Sequence, residues 1–379
     1  MPWTITDPML QRAALLADFE RGLYSIAELA RRYGVSRKTA HKWIGRWQSG
    51  DRSTDDRSRA PLSCPHAHDE VVREAVLELR RRHRTWGPRK LVVVLARERP
   101  DLPPVSHATV SRWLGQAGLA PVRRRRASGP APVAGTLTVP ERANHVWTLD
   151  FKGHARLASG PYVYPLTVCD AHTRFVLSVT GHPGVAAAEV EPVLRRVFAE
   201  HGLPEVIRTD NGVPFVTPAS PLGLTRLSAW WLRLGIRPER IDIGRPQQNG
   251  RHERMHRDLK AETMRPCAGG FAAQQVRFDT FRRVYNEERP HEALGQATPS
   301  SVYAPSPRPL PERVEPPEYP AHVEVRAVRP DGMVKLRGRH VFVSEVLAGE
   351  RVGLEEVADG VLSVLYYGFE LGRLRLSEV

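Results

Sequence analysis

Three carboxylates in this chain of 379 residues stand where carboxylates need a reason. Asp150 lies in Trp147-Thr-Leu-Asp-Phe-Lys152, a stretch that reads as a strand. Leu149 and Phe151 share one face of it and Asp150 takes the other. A charge in mid-strand disfavours the strand unless something compensates. Asp210 ends a short strand just before the Asn211-Gly212 turn, and Glu253 falls near the start of a helix that Asn249 is placed to cap. Carboxylates at a strand centre, a strand end and a helix start can converge on one sheet edge. Such oxygen donors suit hard cations, Mg2+ or Mn2+. Two such ions, roughly 3.5–4 Å apart, activate a nucleophile and stabilise the leaving oxygen of a phosphodiester. Singly, the three have ordinary explanations: an exposed strand residue, a turn residue, a helix-start charge favoured by the macrodipole. Their combination on one order of elements makes a metal site the expectation.

A second motif overlaps the third carboxylate. His252-Glu-Arg-Met-His256 matches H-E-x-x-H, in which histidines at i and i+4 share a helix face and can bind zinc. A five-residue motif with two free positions arises by chance, and the flanking Gln247-Gln-Asn-Gly-Arg251 suits nucleic acid better. A zinc protease is therefore the weaker reading, and His252 and His256 are expected beside the metal site or the DNA backbone. Other basic residues are placed to touch DNA. Arg37, Lys38, His41 and Lys42 fall on the second helix of a helix-turn-helix, where such side chains read guanine edges or hold phosphates. His107, Ser111 and Arg112 are the comparable positions of a second unit. Arg123, Arg124, Arg125 and Arg126 are expected along phosphates, with salt-sensitive, weakly selective affinity. Charged helix faces are also common on plain helical bundles. Trp43, Trp47, Trp230 and Trp231 read as core rather than base-stacking residues.

The elements that must position these residues follow from local signals. Ser25 with Glu28 forms a capping box, Gly34 breaks the helix, and Ser36 caps the next, so residues 10–48 read as a first helix-turn-helix. Residues 49–68 are polar and rich in Ser, Pro and Gly, a linker. Helices Asp69–Arg82, Pro88–Arg99 and His107–Gln116, the last capped by Ser106, make a second helix-turn-helix over 69–119. Residues 120–143 read as a basic linker. From 144 the period changes to strands Val146–Lys152, Tyr162–Cys169 and Thr173–Thr180, helix Val185–Glu200 and strand Glu205–Thr209. Helix Gly223–Leu234, extended Ile236–Ile243, and helices Asn249–Thr263 and Phe271–Glu287 complete a mixed α/β domain over 144–303. A Pro-rich linker, 304–320, precedes short strands over 321–379, expected to form a small SH3-like β-barrel. The fold expected is thus multidomain: all-α units, a central α/β core and a small all-β end.

Composition agrees with a polyanionic partner. The formal charge is +14 and the isoelectric point about 10.2, which favours nucleic acid over a merely soluble basic protein. Cys64, Cys169 and Cys267 are scattered and form no CxxC, as expected of a reducing cytosol. The first residues lack a signal-peptide pattern, and no apolar run is long enough to span a bilayer, so no membrane partner is expected.

The stretch Trp147–Lys152, Thr209-Asp-Asn-Gly-Val-Pro-Phe215 and Gly244-Arg-Pro-Gln-Gln-Asn-Gly-Arg-His-Glu-Arg254 together resemble the retroviral-integrase-type core of bacterial insertion-sequence transposases. So does Tyr285-Asn-Glu-Glu-Arg-Pro-His-Glu-Ala-Leu294, followed by Thr298-Pro299 and Tyr303. The resemblance covers roughly 20–305. It implies a ribonuclease-H-like core and a DDE triad at Asp150, Asp210 and Glu253, supported by Asn211, Gly212, Asn249 and His256. It also implies two Mg2+ or Mn2+ ions, and DNA as partner, both element terminal repeats and target. A homo-oligomer on DNA and a bacterial, nucleoid-associated cytoplasmic setting follow from it. Residues 211–252 separate the second and third carboxylates, more than the family usually has, with the excess placed around Thr217–Gly223. Lys260 follows Glu253 by two helical turns on the same face, where the family often has a basic residue near the DNA end. The rival expectation is a DNA-binding regulator on an inactive core, which predicts DNA binding without metal-dependent nicking.

Overall fold

The computed structural model describes residues 7–58, 68–120, 137–215, 223–242, 244–336 and 338–375. Arg123–Arg126, Cys64 and most of the 217–223 stretch lie outside them. The chain divides into two compact units, Met1–Ala67 and His68–Val379.

The first unit is three helices, α1 (Pro8–Glu20), α2 (Ile26–Arg32) and α3 (Arg37–Gln48). Side chains set their starts. The Ser25–Glu28 capping box opens α2, and the Ser36 hydroxyl accepts from the Thr39 amide to open α3. Gly34, at φ +62°, makes the left-handed step between them. Leu15, Leu16, Leu29, Ala40, Trp43 and Ile44 close the core. Trp43 is stacked by the guanidinium groups of Arg12 and Arg46, 4.3 and 4.5 Å from its ring centre.

The second unit opens with α4 (Glu70–Arg82), α5 (Pro88–Glu98) and α6 (His107–Gln116) around Val76, Trp86, Leu91, Val110 and Leu114. A six-stranded sheet follows: β1 (Val146–Phe151), β2 (Ala155–Arg156), β3 (Tyr162–Asp170), β4 (Val176–His182), β5 (Val206–Thr209) and β6 (Arg237–Arg240). Its order is β2-β3-β1-β5-β6, with β4 paired to β3. β3 runs antiparallel to β1 and β4, whereas β1, β5 and β6 are parallel. The helices are α7 (Ala187–His201), α8 (Arg226–Arg233), α9 (Gly250–Thr263) and α10 (Phe271–Arg283). Residue parity along the strands separates two cores. Trp147 and Leu149 of β1, with Leu166 and Val168 of β3, pack against Phe198 and Trp230 of α7 and α8. Val163 and Cys169 of β3 pack with Met255, Leu259 and Phe278 of α9 and α10 on the other face.

Three local expectations change. The third long strand starts at Val176, because the Asp170 carboxylate accepts the amides of His172 and Thr173 and the Thr173 hydroxyl, folding 170–174 into a turn. The last core helix stops at Arg283 and continues as a π-helical turn, Val284–Glu288. Asn249 occupies the N-cap position of α9 but makes no side-chain cap bond; a 3-10 turn, Pro246–Asn249, leads into the helix instead.

The C-terminal region is all-β. β7 (Glu324–Ala327), β10 (Arg351–Ala358), β11 (Val361–Tyr366) and β12 (Phe369–Arg375) form one sheet, ordered β12-β11-β10-β7, while β8 (Met333–Leu336) and β9 (Arg339–Phe342) form a hairpin. No pairing among the described residues closes these strands into a barrel. Their core, Val334, Leu354, Val364 and Tyr366, is shared with Leu224, Ala229 and Leu232 at α8. The Pro-rich segment 304–320 runs against the α/β core. Leu310 and Val314 pack on it, and Arg308 donates to the carbonyls of Pro204, Leu234 and Gly235. Gly202 permits the approach, since a Cβ there would come within 2.7 Å of the Ser306 carbonyl.

Candidate active site

Strand register brings the first two carboxylates together. β1 and β5 are parallel neighbours with Leu149 opposite Thr209, so the next step sets Asp150 beside Asp210 at the ends of two adjacent strands. Asp210 turns on itself: its Oδ1 accepts the Gly212 amide at 3.0 Å, and Asn211 donates to the Ile241 carbonyl at 2.7 Å, tying the turn to the chain after β6. The Asp150 side chain is 20% exposed. Burial, first, and then the charge of Asp210 push its carboxyl up to about 7; Glu253 adds a smaller push, while Lys152 opposes. Lys152 lies just past the end of β1, near enough for its charge to act on Asp150.

α9 lies over this face through its histidines. His252 and His256 are buried, and both Nε2 atoms stand 2.6 Å from the Thr167 hydroxyl on β3. Thr167 in turn donates to the backbone carbonyl of Asp150 at 3.0 Å. The Thr167 oxygen is thus the shared centre of both imidazoles and the β1 backbone. His252 Nδ1 stands 2.6 Å from the Thr148 hydroxyl, which also reaches the Cys169 carbonyl at 3.3 Å, and His256 Nδ1 faces Asp150 Oδ2 at 3.5 Å. Burial holds both rings far below the usual histidine range, consistent with neutral, hydrogen-bonded imidazoles.

Ligand atoms of Asp150, His252 and His256 lie within 4.8 Å of one another. A zinc ion would need the two ring nitrogens at about 2.0–2.1 Å. The point on which the Nε2 atoms converge is filled by the Thr167 hydroxyl. The H-E-x-x-H spacing therefore serves to seat α9 on the sheet. Glu253 follows His252 by one residue and precedes His256 by three, so it stands roughly 100° and 60° round the helix from them, and it is exposed.

The other expected residues divide by place. Lys260 is half-buried on α9. Arg37, Lys38, His41 and Lys42 are all exposed along α3, and His107, Ser111 and Arg112 along α6. Trp43, Trp230 and Trp231 are core, whereas Trp47 is half-buried with its indole N–H on Glu20 at 2.8 Å. Sequence reasoning did not assign a role to Lys152, Thr148 or Thr167. Strand alternation from Asp150 could have found the first two; Thr167 becomes visible only through the β1–β3 register, which sets it opposite Asp150.

A divalent cation beside Asp150 would offset the burial, and then the charge of Asp210, that raise its carboxyl. No helix among the described residues is long and apolar enough to cross a membrane.

Known proteins resemble this chain in sequence over its helical and α/β regions. The family described as Integrase core domain matches residues 140–246 and, in a second form, 234–299. Homeodomain-like families match 8–54 and 39–114. The chain is 30% identical over 241 residues to an uncharacterized 31.7 kDa protein of insertion element IS407 from Burkholderia multivorans, covering 63% of this chain and 83% of that one. It is 30% identical over 254 residues to an uncharacterized 39.2 kDa protein of insertion element IS476 from Xanthomonas euvesicatoria, covering 66% and 69%. Among solved structures, the HTLV-2 integrase catalytic core domain in complex with magnesium is similar over 43% of this chain and 97% of its own, at 15% identity and a TM-score of 0.34. With its homeodomain-like helices and its integrase core, the chain belongs to the insertion-sequence transposases of the DDE polynucleotidyl-transferase class.

Proposed function

We propose that Asp150, Asp210 and Glu253 are the catalytic carboxylates of this transposase and hold two divalent ions, Mg2+ or Mn2+. The observation that carries the proposal is the state of Asp150: a largely buried carboxyl, in register with Asp210 and within reach of the Glu253 charge. Such ions, when bound, favour the ionised nucleophile and stabilise the leaving oxygen of a phosphodiester. The chain supplies the rest. β1 and β5 hold two carboxylates on adjacent strands of one sheet, a rigid placement that needs no reorganisation on binding DNA. Lys152, beside Asp150, and Lys260, two turns beyond Glu253, offer cations to the phosphates that flank the cut. Asn211 and Gly212 hold the Asp210 turn, His256 helps to seat α9, and Asn249 stands buried at the start of that helix.

The exposed faces of α3 (Arg37, Lys38, His41, Lys42) and α6 (His107, Arg112) bind the terminal repeats of the element, with Arg123, Arg124, Arg125 and Arg126 along phosphates. In the first step water attacks a phosphodiester at the element end, breaking one P–O bond and freeing a 3′-hydroxyl. In the second that hydroxyl attacks a phosphodiester of target DNA, one P–O bond forming as another breaks. Pairing two ends calls for a dimer or larger assembly on DNA, in a nucleoid-associated setting. The domain borders at 69–119, 144–303 and 321–379, and an SH3-like character for the last, belong to the same proposal.

Asp150→Asn tests it. Cleavage and strand transfer with the element's own ends and Mg2+ should fall by roughly 10³-fold or more, while binding of those ends is unchanged. Strand transfer retained in this variant overturns the assignment.

A further inference from the structure

At the end of α9 remote from Glu253, a cleft of about 900 Å3 opens between the α4–α5 turn and the α9–α10 pair. Its walls carry five arginines, Arg82, Arg84, Arg265, Arg277 and Arg283, against two carboxylates, Glu262 and Glu288. The carboxylates are already engaged: Glu262 accepts the Thr85 hydroxyl, and Glu288 pairs with Arg283 at 2.7 Å. Arg82 pairs with Glu98, and Arg277 donates to the Pro266 carbonyl at 2.6 Å. Arg84 and Arg265 are exposed and make no ion pair with any described residue. The two walls are tied together by the Thr85–Glu262 contact and, alongside, by Lys90 Nζ donating to the Pro290 carbonyl at 2.6 Å. The cleft is thus a fixed feature of the second unit.

We infer that this cleft binds the phosphate backbone of DNA, as a contact surface separate from the helix-turn-helix faces. Planar guanidinium groups match phosphate oxygens in pairs, and five of them line this cleft. Its position on α9 points the same way. The outward face of the helix carries exposed Arg254 and Arg257 and half-buried Lys260, and leads to Ala261 in the cleft wall. From Glu253 to Ala261 the helix rises about 12 Å, the span of about three to four phosphates along one strand of B-DNA. A strand cut beside Glu253 would be carried by this cationic stripe into the cleft. Only that choice of origin rests on the catalytic proposal; the charge of the cleft does not.

The test is the salt dependence of binding, read by fluorescence anisotropy on a random-sequence duplex of about 30 base pairs without divalent metal. Each phosphate contact contributes about 0.9 to the slope of log Kobs against log salt. The Arg84→Ala/Arg265→Ala pair should lower that slope by about 2 and weaken binding roughly 10-fold at 0.1 M salt. Its circular dichroism and Tm should not change, both side chains being exposed. Arg84→Lys/Arg265→Lys, which keeps the charges, should retain the slope. Unchanged slope and affinity in the alanine pair would overturn the inference; a cleft kept for an acidic protein segment gives that result. An equal loss in the lysine pair with a lowered Tm would trace the effect to folding and overturn it as well. No cleavage is read, so failure here leaves the catalytic assignment standing, and the reverse holds for Asp150→Asn.

Discussion

Asp150 bears a conflict that a single residue can express and a single substitution can resolve. Burial and the neighbouring Asp210 raise its carboxyl to about 7 from an ordinary value near 3.8. Because the folded state holds this proton more tightly than the unfolded chain, its contribution to stability is fully present below about pH 4. It is lost as pH rises through 7. At about 1.4 kcal/mol per unit, the metal-free site carries a penalty on the order of a few kcal/mol above neutrality. Asp150→Asn removes the charge and keeps the shape. The variant should therefore melt several degrees above the wild type at pH 8 in EDTA, with the gap closing as pH falls toward 4. Saturating Mg2+ should raise the wild-type Tm and leave that of the variant nearly unmoved. Equal Tm values at pH 8 without metal would show that Asp150 is not under electrostatic pressure. Asp150 stood out in the sequence because a charge in mid-strand is disfavoured, whereas Asp210 and Glu253 stood out only through the motifs around them. Thr167 contradicts nothing, since a threonine in a strand is ordinary, and its hydroxyl matters only through the partners that folding brings to it.

At the scale of elements, α9 is held from two sides. One is the Thr148–His252–Thr167–His256 network; the other is the buried pair between Arg289 and Asp258, with the Arg289 guanidinium 4.9 Å from the Tyr285 ring centre. Both partners are under a tenth exposed. Breaking one side of such a pair leaves an uncompensated charge indoors, whereas replacing both is often tolerated. Arg289→Met should cost roughly 3–5 kcal/mol in urea denaturation, and Arg289→Met/Asp258→Leu should recover most of it. A single-variant cost under about 1 kcal/mol would mean that the pair does not seat α9. Element starts set by nearby side chains were readable: Ser25 with Glu28, Ser36 and Ser106 cap helices where the sequence says they should. Elements set by distant partners were not. β12 has Gly372 and charged residues along it and no local strand pattern of its own, yet β11 pairs it from Val361 to Tyr366. The π-helical turn at 284–288 keeps an ordinary helical pattern, so nothing local announces it.

Across the whole molecule, two stretches that read alike behave differently. Residues 49–68 and 304–320 are both rich in breakers, and composition alone makes linkers of both. Only the first falls at the border between the two compact units, Met1–Ala67 and His68–Val379. The second is bonded to the core through Arg308, and the β-region beyond it buries Leu224, Ala229 and Leu232 of the α8 side within its own core. Stability should follow these cores rather than the linkers. A chain starting at His68 should keep the Tm of the second unit within about 2 °C and lose only the DNA affinity that α3 contributes. A chain ending at Pro320 exposes the apolar surface at α8. It should melt lower by several degrees, since each buried leucine side chain is worth about 1.5–3 kcal/mol, and it should gain a tendency to aggregate. Differential scanning calorimetry on the two truncations separates the cases. An unchanged Tm on removing 321–379 would make the β-region an independent domain on a spacer, as its composition suggests, and would leave the shared core at α8 without energetic weight.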